Sequence, residues 1–231
     1  MNFNWNANKI KWYEDANEYT GFFKNIADVI KPKLEGYTTF CDIGCGLGLI
    51  DIELSNSIKN ITCVDINENA IRFLKNKIND NKITNIETHH MDYKKIKKNW
   101  DVIYISFFGS RSIEEFLPYC KQLFAVVNKN GSDPFFKKYR TFNKSTCNEV
   151  EQKLKDKGIE YSLTEVTFEF GQPLVSSEDA KNYIRSCAPS ISEEDLDNYL
   201  NRRLRKINFS QYPYYISKKK PIGIFQVNGG L

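Results

Sequence analysis

The stretch Asp42-Ile43-Gly44-Cys45-Gly46-Leu47-Gly48 restricts what this chain can fold into more than any other part of it. Ahead of it, Tyr37-Thr38-Thr39-Phe40-Cys41 reads as a buried strand; after it, Leu49-Ile50-Asp51-Ile52-Glu53-Leu54 opens a helix. An acid and three glycines are therefore packed into one strand-to-helix turn. Glycine lets the backbone turn tightly and leaves bare main chain for a ligand to lie against. The free N–H groups at the start of the helix favour a ligand's negative end. The next strand, Asn60-Ile61-Thr62-Cys63-Val64-Asp65, ends in a second acid. A carboxylate there can accept hydrogen bonds from both hydroxyls of a ribose. Together these features describe a nucleoside-binding βαβ unit.

The glycine spacing narrows the choice of nucleoside. A dinucleotide fingerprint reads G-x-G-x-x-G/A. Here the third glycine arrives one residue early, and Leu49 stands where Gly or Ala is wanted, which argues against a nicotinamide cofactor. An acid two residues before the first glycine, followed by G-x-G-x-G, resembles motif I of the class I S-adenosylmethionine-dependent methyltransferases. The resemblance runs from about Tyr37 to Val127. It implies S-adenosylmethionine as the cofactor and assigns roles to the matching positions. Asp42 would face the methionine end, and Gly44, Cys45, Gly46 and Gly48 would supply the close backbone. Asp65 would bind the ribose, with Ile66 on one face of the adenine. Asp92 would accept from the adenine amino group, with Tyr93 nearby. Ser106 would border the methionine moiety and the acceptor.

No catalytic residue stands out. His89 and His90 are the only histidines, and in a strand their side chains point to opposite faces. Tyr19, Tyr104 and Glu169 are further acceptor-side candidates, none of them decisive. Amino-methylating nucleic-acid enzymes of the resembled family carry Asn/Asp-Pro-Pro-Tyr/Phe after the fourth strand. This chain has Ser106-Phe107-Phe108-Gly109. Aromatic faces beside a sulfonium contribute about 0.5–2 kcal/mol by cation–π attraction.

Apolar periodicity organises the rest. Phe22, Phe23, Ile26, Val29 and Ile30 predict a helix within Gly21–Leu34, ended by Pro32, and Trp5, Trp12, Tyr13 and Tyr19 precede it as an aromatic arm. Further strands are predicted at Ile86–Met91, Val102–Phe108, Phe124–Val127 and Leu163–Phe170. Helices are predicted from Asn67, over Ser112–Leu123, and from the capping box Thr146-x-x-Glu149. Such alternation predicts an α/β fold with a doubly wound, mainly parallel, Rossmann-like sheet of seven strands. The seventh, Ile222–Val227, would run antiparallel, as the resemblance implies. The expected organisation is a single domain: an N-terminal helical arm (1–36), a nucleoside-binding core (37–170), a helical insertion or lid (171–221), and a final strand and tail (222–231). Ser176-x-x-Asp179 and Ser192-x-x-Asp195 are capping boxes for two helices of the insertion. Lys218-Lys219-Lys220 reads as a solvated turn.

Composition sets the outer bounds. The 231 residues suffice for a full core, and the net charge of +4 is too small to point to a nucleic-acid partner. Six scattered cysteines lack the spacing of a metal site and suit a reducing, cytoplasmic compartment. No run of 18 apolar residues is present, so no membrane-spanning helix is expected. The leading expectation is methyl transfer to a small-molecule acceptor. The alternatives are an RNA or protein methyltransferase and a non-catalytic cofactor-binding subunit.

Overall fold

The computed structural model describes residues 4–95, 98–107, 112–130, 134–139 and 145–231. Helices α1 (Ala7–Thr20) and α2 (Phe22–Ile30) come first. They are followed by β1 (Thr39–Ile43), α3 (Leu49–Leu54), β2 (Asn60–Asp65), α4 (Glu68–Asp80), β3 (Ile86–His90), β4 (Trp100–Ser106) and β5 (Cys120–Asn128). Helices α5 (Pro134–Lys137) and α6 (Cys147–Asp156) lead to β6 (Tyr161–Glu169). Next come β7 (Gln172–Leu174), α7 (Ser177–Cys187), α8 (Glu193–Arg203), β8 (Leu204–Lys206) and β9 (Tyr214–Ile216), and then β10 (Lys219–Asn228).

The main sheet has the order β3-β2-β1-β4-β5-β10-β6. Strands β1 to β5 pair in parallel, and β10 lies antiparallel between β5 and β6. The order reverses direction between β1 and β4. In open sheets of this kind, ligands enter at that switch point, beyond the strand C-termini. At the opposite edge Asp101 locks β1 to β4: its carboxylate accepts the N–H groups of Thr38 and Thr39, both at 2.9 Å, and pairs with Lys121 at 2.7 Å. The Lys121 contact, first among several, holds the Asp101 carboxyl below the usual range.

Local chemistry explains the element ends. Asn6 caps α1 by accepting the Lys9 N–H, and Gly21, with φ of 64°, closes α1 and starts α2. Asn67 caps α4, Ser176 caps α7 and Ser192 caps α8, each through a side-chain oxygen and a backbone N–H three residues on. Helix α2 buries Phe22, Phe23, Ile26, Ala27 and Ile30 on one stripe. The two faces of the sheet hold separate cores. One is covered by α2, α3 and α4 and contains Phe40, Tyr104, Phe124 and Ile224. The other contains Trp100, Phe116, Val150, Leu154 and Phe225.

Several expectations need correction. The segment Ser112–Leu123 is not an α-helix: residues Ile113–Tyr119 form a 3-10 helix with Pro118 inside it, and β5 already begins at Cys120. Proline lacks the N–H that a continuing helix needs. The fourth strand ends at Ser106 because Phe107 turns out of the extended region with φ of 52°; Phe108 lies outside the described residues. The arm is helical, as expected, and its first helix is α1. The insertion contains both expected helices and, in addition, a small sheet of order β7-β9-β8. Its core joins the arm, for Trp12 donates its indole N–H to Asp179 at 2.9 Å and packs with Leu174, Ile184 and Leu196. The final strand begins at Lys219, so of the lysine run Lys218 and Lys219 are solvated as expected, while Lys220 is half-buried within β10.

Candidate functional site

The glycine turn sits at the switch point. Gly44, Gly46 and Gly48 all have positive φ, at 74°, 55° and 64°. At Gly48 a β-carbon would also lie 2.5 Å from the Leu74 methyls, so glycine is required there by conformation and by space. At Gly46 the direction of a β-carbon points at the ring of Trp5, 3.3 Å away. Trp5 is buried, meets Tyr13 edge-on at 5.2 Å, and accepts a hydrogen bond at its carbonyl from Asn69 at 2.9 Å. The arm thus folds over the bare backbone of the turn. The helix that follows, α3, has only six residues.

Asp65 joins this turn to the end of β2. One carboxylate oxygen accepts the Gly46 N–H at 2.8 Å and the other accepts the Asn67 N–H at 2.7 Å. Ile66 beside it is 43% exposed, unusual for isoleucine and open to a flat ligand. His90 holds the Ile66 carbonyl at 3.0 Å through Nε2, while His89 pairs with Glu87 at 3.1 Å on the other side of the strand. Asp92 is exposed and uses one oxygen to accept the Lys94 N–H at 3.0 Å. Tyr93 is half-buried, with its ring 5.3 Å from that of Phe116.

Asp42 lies beneath the turn, not on its surface. It is wholly buried, and so is Asp51 on α3. Among the described residues, none of their four carboxyl oxygens has an N–H or O–H donor in good hydrogen-bond geometry. The two groups meet each other, with the thiols of Cys45 and Cys63 as neighbours. Burial first, then the Asp51 charge, raises the Asp42 carboxyl well above the ordinary range. Burial raises Asp51 too, and the contact with Asp42 works against that rise. Two acceptors can bond only through a proton, so a proton on Asp42 shared with Asp51 satisfies both. Tyr104 pairs in register with Asp42 across β4, on the same face, and its buried hydroxyl has no hydrogen-bond partner among the described residues.

Beyond β4 the chemistry changes. Ser106 is half-buried, and the Phe107 N–H still bonds to the Val126 carbonyl at 2.9 Å. A phenylalanine at positive φ costs about 1–2 kcal/mol. Its ring faces that of Phe22 at 6.3 Å, and Phe22 meets Phe170 at 4.4 Å. The Lys220 ammonium lies among these rings, 3.4 Å from the Phe107 centroid, 4.8 Å from Phe22 and 5.0 Å from Phe170. Glu169 accepts three hydrogen bonds on Oε1, from Tyr215, Ser217 and the Lys218 N–H at 2.8, 2.9 and 2.8 Å. Burial works to raise its carboxyl, but these bonds outweigh that and leave it lowered. Tyr19 stands apart, exposed beside Phe209, Tyr212 and Tyr215.

The structure therefore gathers Asp42, Gly44, Cys45, Gly46, Gly48, Asp65, Ile66 and Ser106 around the switch point. Asp92 and Tyr93 lie one strand further out, after β3. Sequence reasoning missed Trp5, Asp51 and Lys220. Asp51 alone carried a readable signal, as a lone acid in an otherwise apolar helical turn.

Residues 40–131 match a family described as a methyltransferase domain. Among solved structures, the chain is similar to YcgJ of Bacillus subtilis, with a TM-score of 0.58 at 12% identity over 90% of this chain and 99% of that one. It is also similar to precorrin-6y C5,15-methyltransferase of Geobacter metallireducens (TM-score 0.53, 13% identity, 88% and 89% covered). A third is a Pyrococcus horikoshii protein proposed to be an RNA methyltransferase (TM-score 0.52, 12% identity, 91% and 85% covered). At such identities the likeness is one of fold. Sequence match and sheet topology agree: residues 40–131 match a methyltransferase domain, and the chain has the Rossmann-like fold of the methyltransferase structures it is similar to.

Proposed function

We propose that this chain transfers a methyl group from S-adenosylmethionine to a small-molecule acceptor seated against the ends of β4, β6 and β10. One observation carries the small-molecule reading. On the acceptor side of the switch point the phenyl ring of Phe22 on α2 packs against those of Phe107, just after β4, and Phe170, just after β6. Aromatic, apolar surroundings suit a small ligand, whereas a nucleic acid needs an open basic groove.

The residues present fit the cofactor. Gly46 offers backbone where a side chain would intrude. Each Asp65 oxygen keeps a lone pair after its backbone bond, which suits two ribose hydroxyls. Ile66 offers an exposed apolar face for adenine, and Asp92 keeps one oxygen for an amino group. When bound, S-adenosylmethionine supplies a methyl group on a positively charged sulfur. Asp42, with Asp51 and Tyr104, fixes the turn from below and adds negative potential under it. Ser106 borders the junction between cofactor and acceptor. The phenyl walls exclude water, and the arm with the 171–221 insertion closes over them as a lid. Three donors on Oε1 and a lowered carboxyl make Glu169 a weak base, and both histidines lie on the adenine side. Six free cysteines, four of them buried, agree with a cytoplasmic enzyme.

Calorimetric titration tests the cofactor half. S-adenosylmethionine and S-adenosylhomocysteine should bind at micromolar concentration, and NAD should not. Methyl transfer from labelled S-adenosylmethionine to small acceptors tests the other half. Tight binding without turnover across a broad acceptor panel would favour a non-catalytic subunit.

A further inference from the structure

The insertion holds a cleft of its own, between α7, α8 and the small sheet, with a volume of about 340 Å³. That lies at the small end of the range for small-molecule sites. The cleft shares no lining residue with the glycine turn or with the rings of Phe22, Phe107 and Phe170. Strand alternation explains what lines it. In β9, Tyr214 and Ile216 face the two helices and join a core with Leu196 and Leu200, whereas Tyr215 faces the arm. Lys206 pairs in register with Tyr214 and stands two residues from Leu204, so the same alternation turns it toward the helices. A lysine on the apolar face of a sheet calls for a counter-charge, yet the Lys206 ammonium has no partner among the described residues. The hydroxyls of Ser177 and Tyr214 and the Asn201 amide also line the cleft, and none of them has a hydrogen-bond partner among the described residues. Leu200, Leu204 and the Tyr214 ring give it an apolar floor. The charge is one-sided. Asp197 faces Lys181 at 3.9 Å, and Glu178, next to Ser177, reaches Arg185 at 3.9 Å. Residues 198–231 contain three arginines and four lysines and no acid.

We propose that this cleft is a second ligand site, separate from the methyl-transfer edge, and that it takes a small amphipathic anion: a flat apolar body bearing one anionic group. Lys206 meets the anionic group, and the body lies on Leu200, Leu204 and the face of Tyr214. Attraction between the two charges is stronger beside an apolar floor than in open water. The Asn201 amide offers both a donor and an acceptor to a polar edge of the ligand, and the two hydroxyls offer one donor each. Asp197 sets the charge number. It neutralises Lys181, so one cation stays uncompensated and a second negative charge on the ligand would face a carboxylate. The walls come from two helices and a strand pair, so a bound ligand ties these elements together. Whatever binds the folded insertion and not its opened form stabilises it by mass action. The inference does not depend on the identity of the methyl acceptor.

The test is a fluorescence titration of the full chain with 8-anilinonaphthalene-1-sulfonate and with N-phenyl-1-naphthylamine, the same body without the sulfonate. Wild type should bind the sulfonate at least fivefold more tightly than the neutral probe. Lys206→Met keeps an apolar stem and should weaken the sulfonate at least fivefold while leaving the neutral probe within twofold. Arg205→Met, on the opposite face of the same strand, should change neither. Asp197→Asn releases Lys181 and should tighten the sulfonate at least twofold, a gain that a merely structural role for the residue would not produce. In hydrogen exchange the bound sulfonate should slow the amides of α8 and β8 in wild type and not in Lys206→Met. Absence of sulfonate binding to wild type, or equal binding to wild type and Lys206→Met, overturns the proposal. Displacement of the sulfonate by S-adenosylhomocysteine, or protection confined to the main sheet, would put the probe at the ligand edge and overturn it as well.

Discussion

The two sides of the ligand edge are built by different means. On the β1–β2 side the working groups are backbone and carboxylates, drawn from Asp42 to Asp65 in one continuous stretch. On the β4–β10 side they are phenyl faces and one ammonium, brought together from residues 22, 107, 170 and 220. The first side places its parts by local turn geometry. The second depends on the whole sheet being assembled, and above all on β10 entering between β5 and β6. A cofactor common to a family can be met by a contiguous motif. An acceptor particular to one enzyme is met by whatever the fold brings near it.

This contrast can be broken by mutation. The largest effect should come from Gly48→Val, which adds backbone strain at φ 64° and a collision with Leu74. A loss of about 4 kcal/mol in urea unfolding is expected; a loss below about 1 kcal/mol would show that the turn is not locally fixed. Next is Asp51→Asn in the cofactor-free protein. Both buried carboxyls are raised in the folded state, so between the unfolded carboxylate range and the raised one the native state holds more protons than the unfolded state. Stability from this pair is therefore fully present at low pH and falls as pH rises toward 7, the value to which Asp51 is raised. Asparagine can donate to Asp42 without a second charge, and should add on the order of 2 kcal/mol at pH 8 and flatten the fall. An unchanged pH–stability curve would remove the shared proton.

Smaller is Asp65→Ala, which should weaken S-adenosylhomocysteine about tenfold, near 1.4 kcal/mol, and cost on the order of 1–2 kcal/mol of stability through its lost bonds to the Gly46 and Asn67 N–H groups. Unchanged affinity in calorimetry would dissociate Asp65 from the ribose. The smallest is Ser192→Ala, which removes the cap of α8 and should cost about 1 kcal/mol. Hydrogen exchange should rise in the insertion and not in β1 or β2. If exchange rises in both, the two sides are more tightly coupled than their chemistry indicates.

How far the sequence could be read follows the same division. The sheet, its antiparallel last strand and the caps at Ser176 and Ser192 were legible, because short-range periodicity and capping chemistry determine them. So was the gathering of Gly44, Gly46, Gly48 and Asp65 in one strand-to-helix turn at the switch point, though not the burial of Asp42 beneath it. The 3-10 segment around Pro118 was not, since the apolar spacing of Ile113, Phe116 and Leu117 imitates an α-helix until proline is weighed. The small sheet β7-β9-β8 was hidden by strands of three residues each, too short to show alternation. Lys220 was misread for a different reason. A lysine among lysines signals solvent, and only tertiary structure sets one of three against aromatic rings.

Trp5 has a consequence for affinity that the glycine motif alone does not contain. Its indole fills the direction in which a side chain at position 46 would grow. Any ligand lying against that backbone must share the volume with an internal occupant, so its binding is a competition. The apparent dissociation constant is then the intrinsic one divided by the fraction of molecules whose arm has moved aside. Under the proposed function, a residue outside the glycine motif would thereby set how much cofactor must be present before the site fills.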